Sequence, residues 1–512
     1  MKQILRPSLI ALILSLMVLT VMAQPARPEK LLISGGLIID GTGTAGRVAD
    51  LRIDGDRIVE IGNLTRSQGA RSQGAQSQGE RTIDARGLVI APGFIDIHNH
   101  SERGFASDPS ARSQILQGIT TLAVGPDGGS PWPIADYLLW CRNQKLSTNV
   151  LAFIGHATVR RQVLGDDFKR VATPREVAKM AELVERAMKE GAIGLSSGLE
   201  YDVGNPATTE EVIALARVAG KHHGIYMSHV RDEADLALDA FREAIRIGRE
   251  AEIPVQISHI KLGTVGVWGK AAEAIRLIDE ARRSGVDVTA DCYPYDAWSS
   301  TITVLVPSRR HDDPVAVKKG LDDVGGAANI LVTSCRAHRD FEGMTLDQIA
   351  SREATTPVDA YIKIVRDGGA GVVCKSMKDE DIRTFYRQPW VMVSSDGGIG
   401  MRHPRGTGTF PRVLGRYVRD QKWLSLEEAV HKMTALPADR LGLQDRGRLR
   451  AGMKADLVIF DPLKVIDRST MTQPFIEPVG VTHVFVNGIQ VVSEGSVTGQ
   501  RPGEVLSRKG RK

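Results

Sequence analysis

The sequence predicts an α/β fold, a (β/α)8 barrel that carries a small β-sandwich domain built from both ends of the chain. Three observations support this prediction. Eight short apolar stretches in the middle of the chain alternate with helical segments, which is the order of a parallel barrel. The ends of the chain instead alternate β-branched and polar residues between Gly and Asp-Gly turns, as antiparallel strands do. The length of 512 residues accommodates a large barrel with an accessory module.

Residues 1–23 have the features of a secretory signal peptide. Lys2 and Arg6 precede an apolar run over residues 9–22, and the small residue Ala23 closes the segment. The run is shorter than the about 20 residues that a membrane-spanning helix needs, although an uncleaved anchor stays an alternative. We therefore expect an exported protein, periplasmic or secreted, with no stable membrane insertion after cleavage.

The segments 30–90 and 441–495 are predicted to form the β-sandwich. "KLLISGGLIIDGTG" and "ADLVIFDP" show the alternating pattern at the two ends of the chain. Within the first segment, residues 66–80 repeat Ser-Gln-Gly units and are expected to be a flexible loop. Residues 496–512 end in "SRKGRK" and are expected to be a solvated basic tail. The net charge of +5 is small for a chain of this length, and the basic residues outside this tail are scattered. Nothing in the sequence therefore indicates binding to nucleic acid.

Residues 91–440 are predicted to form the barrel. Helix starts between the strands are marked by capping patterns such as Thr173-Pro-x-Glu176 and Ser425-x-x-Glu428. The stretch 299–388 exceeds one ordinary crossover and is expected to hold extra helices or loops. The eight candidate strands lie at 93–100, 118–125, 149–156, 191–198, 224–230, 253–260, 286–295 and 390–398.

Polar side chains at the predicted strand ends indicate a metal site. In a (β/α)8 barrel the chemistry takes place at the C-terminal ends of the strands, which all face one mouth. Imidazole nitrogens and carboxylates are ligands of Zn²⁺, which lowers the pKa of bound water to about 7. Four of the twelve histidines stand at such ends, paired in the first strand and then about one βα unit apart. The candidate ligands are His98, His100, Asp127, Glu200, His229, His259 and Asp396.

Several stretches resemble a known family. "PGFIDIHNH", "SHV", "SHI" and "SSDGG" are similar to the metal-binding signature of the amidohydrolase superfamily. Longer runs, among them "GAIGLSSGLEYDVGNPA", "ISHIKLGTVGVWGK" and "GTFPRVLGRYVRD", resemble the D-aminoacylase family, whose members are N-acyl-D-amino-acid deacylases. The resemblance extends from about residue 30 to residue 495 and is far more specific than an isolated H-x-H.

The resemblance implies an activity and roles for individual residues. It implies zinc-dependent hydrolysis of the amide bond of N-acyl-D-amino acids, with one or two zinc ions and a small-molecule substrate. His98 and His100 match one metal pair, and His229 and His259 match the second. Asp396 matches the catalytic carboxylate that binds metal and transfers the proton. The positions that hold the substrate in the family correspond to Tyr201, Lys261, Tyr293 and Arg405.

One position departs from the family pattern. The family commonly has a metal-binding cysteine in the loop after strand 2, whereas this chain has Asp127 in "VGPDGG". Aspartate can ligate zinc through oxygen, but Pro-Asp-Gly-Gly is also typical of a turn. Glu200 offers a further carboxylate after strand 4. Whether either residue bridges two metals stays open, and so do the number of metals and the oligomeric state.

Three other functions are compatible with parts of the sequence. A serine hydrolase is disfavoured because the G-x-S-x-G match "GLSSG", residues 194–198, lies within a predicted strand and not at the strand-to-helix turn that forms a nucleophile elbow. Another amidohydrolase activity, that of a dipeptidase or a cyclic-amide hydrolase, is the nearest alternative, since a fold does not specify a substrate. A metal-binding barrel without catalysis is a further alternative. The intact Asp396 argues against it, because an inactive site needs no proton shuttle.

Overall fold

The structure is a computed structural model that describes residues 30–64 and 80–508. The predicted signal peptide at 1–23 lies outside the described residues, as does the Ser-Gln-Gly repeat apart from residue 80. No described helix is both long enough and apolar enough to cross a membrane.

Eight parallel strands form the barrel, as the sequence predicted. Strand 3 is interrupted at Phe153, and its two halves pair with strand 2 on one side and strand 4 on the other. The ends of strands 1 and 8 close the ring, since the Asp396 amide donates to the His98 carbonyl at 3.0 Å. In chain order the strands are Phe94–Asn99, Ile119–Val124, Asn149–Ala152 with Ile154–Gly155, Gly194–Gly198, Ile225–His229, Val255–Ile257, Val288–Cys292 and Val391–Val393.

Helices connect the barrel strands, and the capping patterns in the sequence mark where several of them begin. Thr173 and Ser425 each form a reciprocal capping box with the glutamate three residues later. A π-helix at Val413–Asp420 continues the helix before it. The α-helices are Arg112–Ile115, Ile134–Gln144, His156–Leu164, Pro174–Lys189, Thr209–Lys221, Ala237–Ala251, Ala271–Arg283, Pro314–Asp323, Leu346–Arg352, Pro357–Arg366, Asp379–Tyr386, Arg405–Arg412, Leu426–Met433 and Ala435–Leu441.

The long connection between strands 7 and 8 contains a small sheet in addition to helices. Its strands Ala297–Thr301, Gly371–Lys375 and Ile330–Ser334 pair antiparallel in that spatial order. The sequence analysis expected only helices or loops here. These strands are five residues each and far apart in sequence, so no local hairpin pattern marks them. The insertion supplies one wall of the cavity described below.

Strands from both ends of the chain form the second domain, as predicted. The strand Leu31–Ile38 pairs along its first half with Arg81–Asp84 and along its second half with Val89–Pro92, so the sheet branches at this strand. Val89–Pro92 then pairs antiparallel with the C-terminal strand Leu457–Phe460. The remaining strands of this nine-stranded sheet are Arg47–Asp54, Arg57–Gly62, Val481–Val486, Ile489–Ser493 and Ser496–Val497.

The described part of the predicted C-terminal tail packs against the barrel. Val505 pairs with Val150 at the start of strand 3, and the Leu506 amide donates to the Val150 carbonyl at 2.9 Å. The Arg508 guanidinium donates to the carbonyl of His223, just before strand 5, at 2.7 Å. Up to residue 508 the segment is therefore bound to the N-terminal face of the barrel, opposite the mouth, and the expectation of a solvated tail does not apply to it.

Candidate metal centre

Two histidines and two aspartates surround one point at the mouth of the barrel. His98 Nε2 lies 3.3 Å from Asp127 Oδ2 and 3.4 Å from Asp396 Oδ1. His100 Nε2 lies 3.3 Å from each of the same two oxygens. A tetrahedral zinc with ligand bonds of about 2.0–2.2 Å separates its ligand atoms by about 3.3–3.6 Å. Each of these four His–Asp distances lies within the range for two ligands of one zinc ion.

Asp127 also faces a second group of donors. Its Oδ1 lies 3.7 Å from His259 Nε2, which is 2.9 Å from His229 Nδ1. The same Oδ1 is buried and has no hydrogen-bond partner among the described residues. Buried carboxylate oxygens are rarely left unpaired. Asp127 is thus the carboxylate whose two oxygens point to the two pairs of histidines.

Each of the four histidines presents its other ring nitrogen to a carboxylate. The distances are 3.4 Å from His98 Nδ1 to Asp291, 3.8 Å from His100 Nδ1 to Glu102, 3.0 Å from His259 Nδ1 to Glu233, and 2.8 Å from His229 Nε2 to Glu200. Such carboxylates orient imidazoles for metal binding and increase their basicity. Glu200 therefore lies on the outer side of His229, away from the point between the two pairs of histidines.

The backbone at three of these residues adopts an uncommon conformation. Asp127, His259 and Asp396 have φ angles of 55°, 33° and 46°. Left-handed φ values are unfavourable for residues other than glycine and are concentrated at functional sites. Gly198 of strand 4 permits the close approach of the Asp127 loop, because a Cβ at this glycine would lie 2.3 Å from the Asp127 carbonyl oxygen. The loops thus turn these side chains towards the mouth.

The carboxylates make this cluster favourable for positive charge. Burial lowers the pKa of His98, but Asp127 and Asp396 outweigh that effect and raise it to about 10. Burial raises the pKa of Asp396, but the Arg405 guanidinium and the neighbouring histidines hold it well below its usual range. Asp396 is therefore ionised at neutral pH. A divalent cation held by these side chains would supply the positive charge that the carboxylate oxygens attract.

Arg405 and Tyr293 point unused donors into the site. Arg405 Nη1 lies 2.8 Å from Asp396 Oδ2, and its side chain is 4% exposed. Its buried Nε and the buried Tyr293 hydroxyl have no hydrogen-bond partner in the described part of the chain. Burial raises the pKa of Tyr293 well above its usual value, so the hydroxyl keeps its proton. Arg405 stacks on the Tyr293 ring at 4.8 Å, and together they offer donors for a carboxylate.

Lys261 and Tyr201 are already engaged within the protein. Lys261 Nζ donates to Glu233 Oε1 at 2.6 Å and lies 2.8 Å from His259 Nδ1, with 6% of its side chain exposed. The Tyr201 hydroxyl lies 3.3 Å from His229 Nδ1. Both residues line the same cavity as the histidines, which has a volume of about 570 Å³.

The structure brings all the predicted site residues together at one mouth of the barrel. It also places three further carboxylates against the histidines, and the sequence had not indicated them. Asp291 belongs to strand 7, Glu102 follows His100 by two residues, and Glu233 follows His229 by four. Asp291 stands near the C-terminal end of a predicted strand, so the rule that selected the histidines would have found it. Nothing in the sequence indicates which loop carboxylates turn towards the imidazoles.

Comparison with known proteins places this site in a family. A family model described as "Amidohydrolase family" matches residues 81–492. The chain belongs to the amidohydrolase family. Its relatives include a D-aminoacylase of Alcaligenes xylosoxydans xylosoxydans, 37% identical over 94% of this chain and 98% of the relative. An N-acyl-D-glutamate deacylase of the same organism is 36% identical, over 93% of this chain and 96% of the relative.

A solved structure of another family member is closely similar in fold. It is the N-acyl-D-glutamate deacylase from Bordetella bronchiseptica complexed with zinc and a phosphonate inhibitor that mimics the tetrahedral reaction intermediate. The two structures superpose with a TM-score of 0.82 at 34% identity, covering 94% of this chain and all of the other. The similarity spans both the barrel and the sandwich domain, which confirms the predicted fold and the predicted family.

Proposed function

We propose that this protein hydrolyses the amide bond of N-acyl-D-amino acids with zinc as its cofactor. The observation that carries the proposal is that His98 and His100 both lie at zinc-ligand spacing from Asp127 and Asp396, in the site where Arg405 and Tyr293 have unused donors. An N-acyl amino acid presents one scissile carbonyl and one carboxylate, which match these two features. The relatives named as deacylases of such compounds support the assignment.

Different residues of this chain would bind the metal, transfer the proton and hold the substrate. Zinc, when bound, would supply a Lewis acid that polarises the carbonyl and lowers the pKa of water to about 7. Asp396 accepts a proton from the attacking water and returns it to the departing amine nitrogen. Arg405 holds the substrate carboxylate through its guanidinium edge, and the Tyr293 hydroxyl donates a hydrogen bond to the same carboxylate. The products are a carboxylic acid and a free D-amino acid.

A metal analysis combined with a substrate screen tests the proposal. The purified protein is expected to contain zinc and to cleave N-acetyl-D-amino acids in preference to the L-enantiomers. The scissile carbonyl and the carboxylate occupy two fixed directions at the α-carbon, so the side chain of only one enantiomer fits the remaining space. Preference for the L-series, or cleavage of cyclic amides alone, would contradict the deacylase assignment.

Replacing Arg405 with alanine is expected to weaken the use of substrates that carry a free carboxylate. Hydrogen bonds to charged groups contribute about 1.5–3 kcal/mol, so kcat/KM should fall about 10- to 150-fold. The measurement compares an N-acetyl-D-amino acid with its carboxamide, which lacks the charge. The wild-type preference for the acid should disappear in the variant.

A second variant separates this role from the contact of Arg405 with Asp396. Arg405→Lys keeps a positive charge beside Asp396 but loses the planar fork that binds a carboxylate with two hydrogen bonds. We expect it to retain zinc and turnover of the carboxamide while losing part of the preference for the acid. An unchanged preference in Arg405→Ala would place the carboxylate elsewhere in the cavity.

We also propose that the protein is exported. Two basic residues, an apolar run and a small residue at Ala23 in the first 23 residues support this. Fractionation of the native host should recover the protein in the periplasm or the medium, with a mature N-terminus after Ala23. Recovery in the cytoplasm with an intact N-terminus would refute export.

A further inference from the structure

The two curated relatives reported above differ in what their names say of the substrate side chain. One is a D-aminoacylase and the other acts on N-acyl-D-glutamate, yet their identities to this chain are 37% and 36%. Overall similarity therefore does not decide whether the accepted D-amino acid carries an apolar or an acidic side chain. The cavity that holds the substrate bears on this question, because an acidic side chain brings a second carboxylate that needs its own cation.

Three cations line the cavity among the described residues, and only Arg405 has a buried donor to spare. The Lys261 ammonium donates to Glu233 Oε1 at 2.6 Å and lies 3.4 Å from the His259 carbonyl, so its charge is already matched by a carboxylate of this chain. Arg405 keeps its buried Nε without a partner, and its Nη2 makes a single long contact of 3.5 Å with the Ser299 carbonyl. This guanidinium edge matches one carboxylate.

The third cation, Arg103, lies at the rim of the cavity. Its side chain is 82% exposed, and its Nε is 3.7 Å from the Glu102 carboxylate. An exposed cation interacts weakly with an anion because water and salt screen the charge. Arg103 therefore does not provide a buried partner for a second substrate carboxylate.

Two segments of the chain contribute apolar side chains to the lining of the cavity that contains Arg405. The first wall belongs to the insertion, where the apolar Trp298, Val304, Leu305, Pro307 and Val324 line the cavity together with the neutral polar Ser299, Ser300 and Thr301. The second wall follows strand 8 and consists of Ile399 and Met401. We expect a substrate anchored at Arg405 with its carbonyl at the histidines to place its side chain and its acyl group against this lining. Among the described residues, neither wall contributes a cation to the cavity lining, so the side chain would meet no positive charge at either one.

We propose that the protein acts on N-acyl-D-amino acids with a neutral, apolar side chain and discriminates against acidic ones. This inference rests on the proposed function. A carboxylate held against either wall would lose its water without gaining a charged partner, which is strongly unfavourable. On the first wall it would also approach Asp323, a carboxylate that lines the cavity. An apolar side chain at the same place pays no such desolvation penalty, because it forms no hydrogen bonds with water.

The inference is tested with purified, zinc-loaded protein and three substrates of similar size. We expect kcat/KM to be highest for N-acetyl-D-leucine and at least about 100-fold lower for N-acetyl-D-glutamate. N-acetyl-D-glutamine, which has the size of the glutamate without its charge, should fall between them. A kcat/KM for the glutamate equal to or above that for leucine would overturn the inference while leaving the deacylase function intact. Cleavage of none of the three would instead refute the proposed function.

Charge added to the walls provides the second arm of the experiment. Val304 and Met401 are both half-buried, line the cavity and do not belong to the metal cluster. At least one of Val304→Lys and Met401→Lys should raise the glutamate-to-leucine ratio of kcat/KM about tenfold or more. The matched neutral variants, Val304→Met and Met401→Leu, should leave the ratio within a fewfold of wild type. No change in either lysine variant would overturn the inference.

Discussion

Replacing Asp396 with asparagine is expected to lower turnover by about 10²- to 10⁴-fold, or more if metal is also lost. Asparagine preserves the shape of the side chain but cannot accept a proton at neutral pH. Asp396 is buried, and the Arg405 guanidinium keeps its pKa well below the usual range, so the wild-type group is a carboxylate. Its Oδ1 lies within 3.4 Å of both His98 Nε2 and His100 Nε2, where the attacking water must be activated.

The experiment needs kcat and zinc content for the same preparations. Asp323→Asn is a suitable control, because Asp323 lines the same cavity but pairs with Lys319 at 2.5 Å and lies outside the histidine cluster. That control should stay within a fewfold of wild type. An Asp396→Asn variant that keeps its zinc and turns over near the wild-type rate would remove Asp396 from the mechanism.

Removing the Asp127 carboxylate is expected to deplete the protein of zinc and therefore to abolish most activity. Its two oxygens face both pairs of histidines, so the change removes a donor from each group. Asp127→Ala should bind less than half of the wild-type zinc after dialysis. Asp127→Cys should recover part of it, because thiolate is a strong zinc ligand. Zinc content and kcat are measured together.

Two further variants distinguish a ligand from a turn residue. Asp127 has a φ of 55°, which asparagine tolerates better than alanine does. Asp127→Asn therefore keeps the turn but loses the charge, and it should also lose zinc. Loss in the alanine variant alone would show that Asp127 serves the turn. Glu200→Gln should affect zinc less than any Asp127 variant, since Glu200 contacts the outer nitrogen of His229 at 2.8 Å.

The sequence was sufficient for the barrel and for the histidines and Asp396 at the ends of its strands, but not for Glu102, Glu233 and Asp291, which contact those histidines. Apolar runs spaced by capped helices identified all eight strands, because burial on both faces of a parallel sheet leaves continuous apolar stretches. The position of His98, His100, His229, His259 and Asp396 at strand ends then placed them at one mouth. That inference requires only the rule that parallel strands share a direction.

Side-chain direction in the loops required the tertiary structure. The sequence could not choose between Asp127 and Glu200, because both simply follow a strand. The left-handed backbone at Asp127 and the missing Cβ at Gly198 turn one carboxylate inward, and Glu200 meets the outer side of His229. The short strands of the insertion were missed for a related reason, since their partners are distant in sequence.

The sequence by itself determined the order of the strands, the strand ends that carry ligands and the family that these residues resemble. Periodicity and capping are local properties, so they can be read along the chain. Only the tertiary structure decided that Asp127 faces both pairs of histidines, that Lys261 is held by Glu233 and that Arg405 keeps a free donor. Those outcomes depend on which side chains compete for the same partner, and that competition exists only once separate loops meet in space.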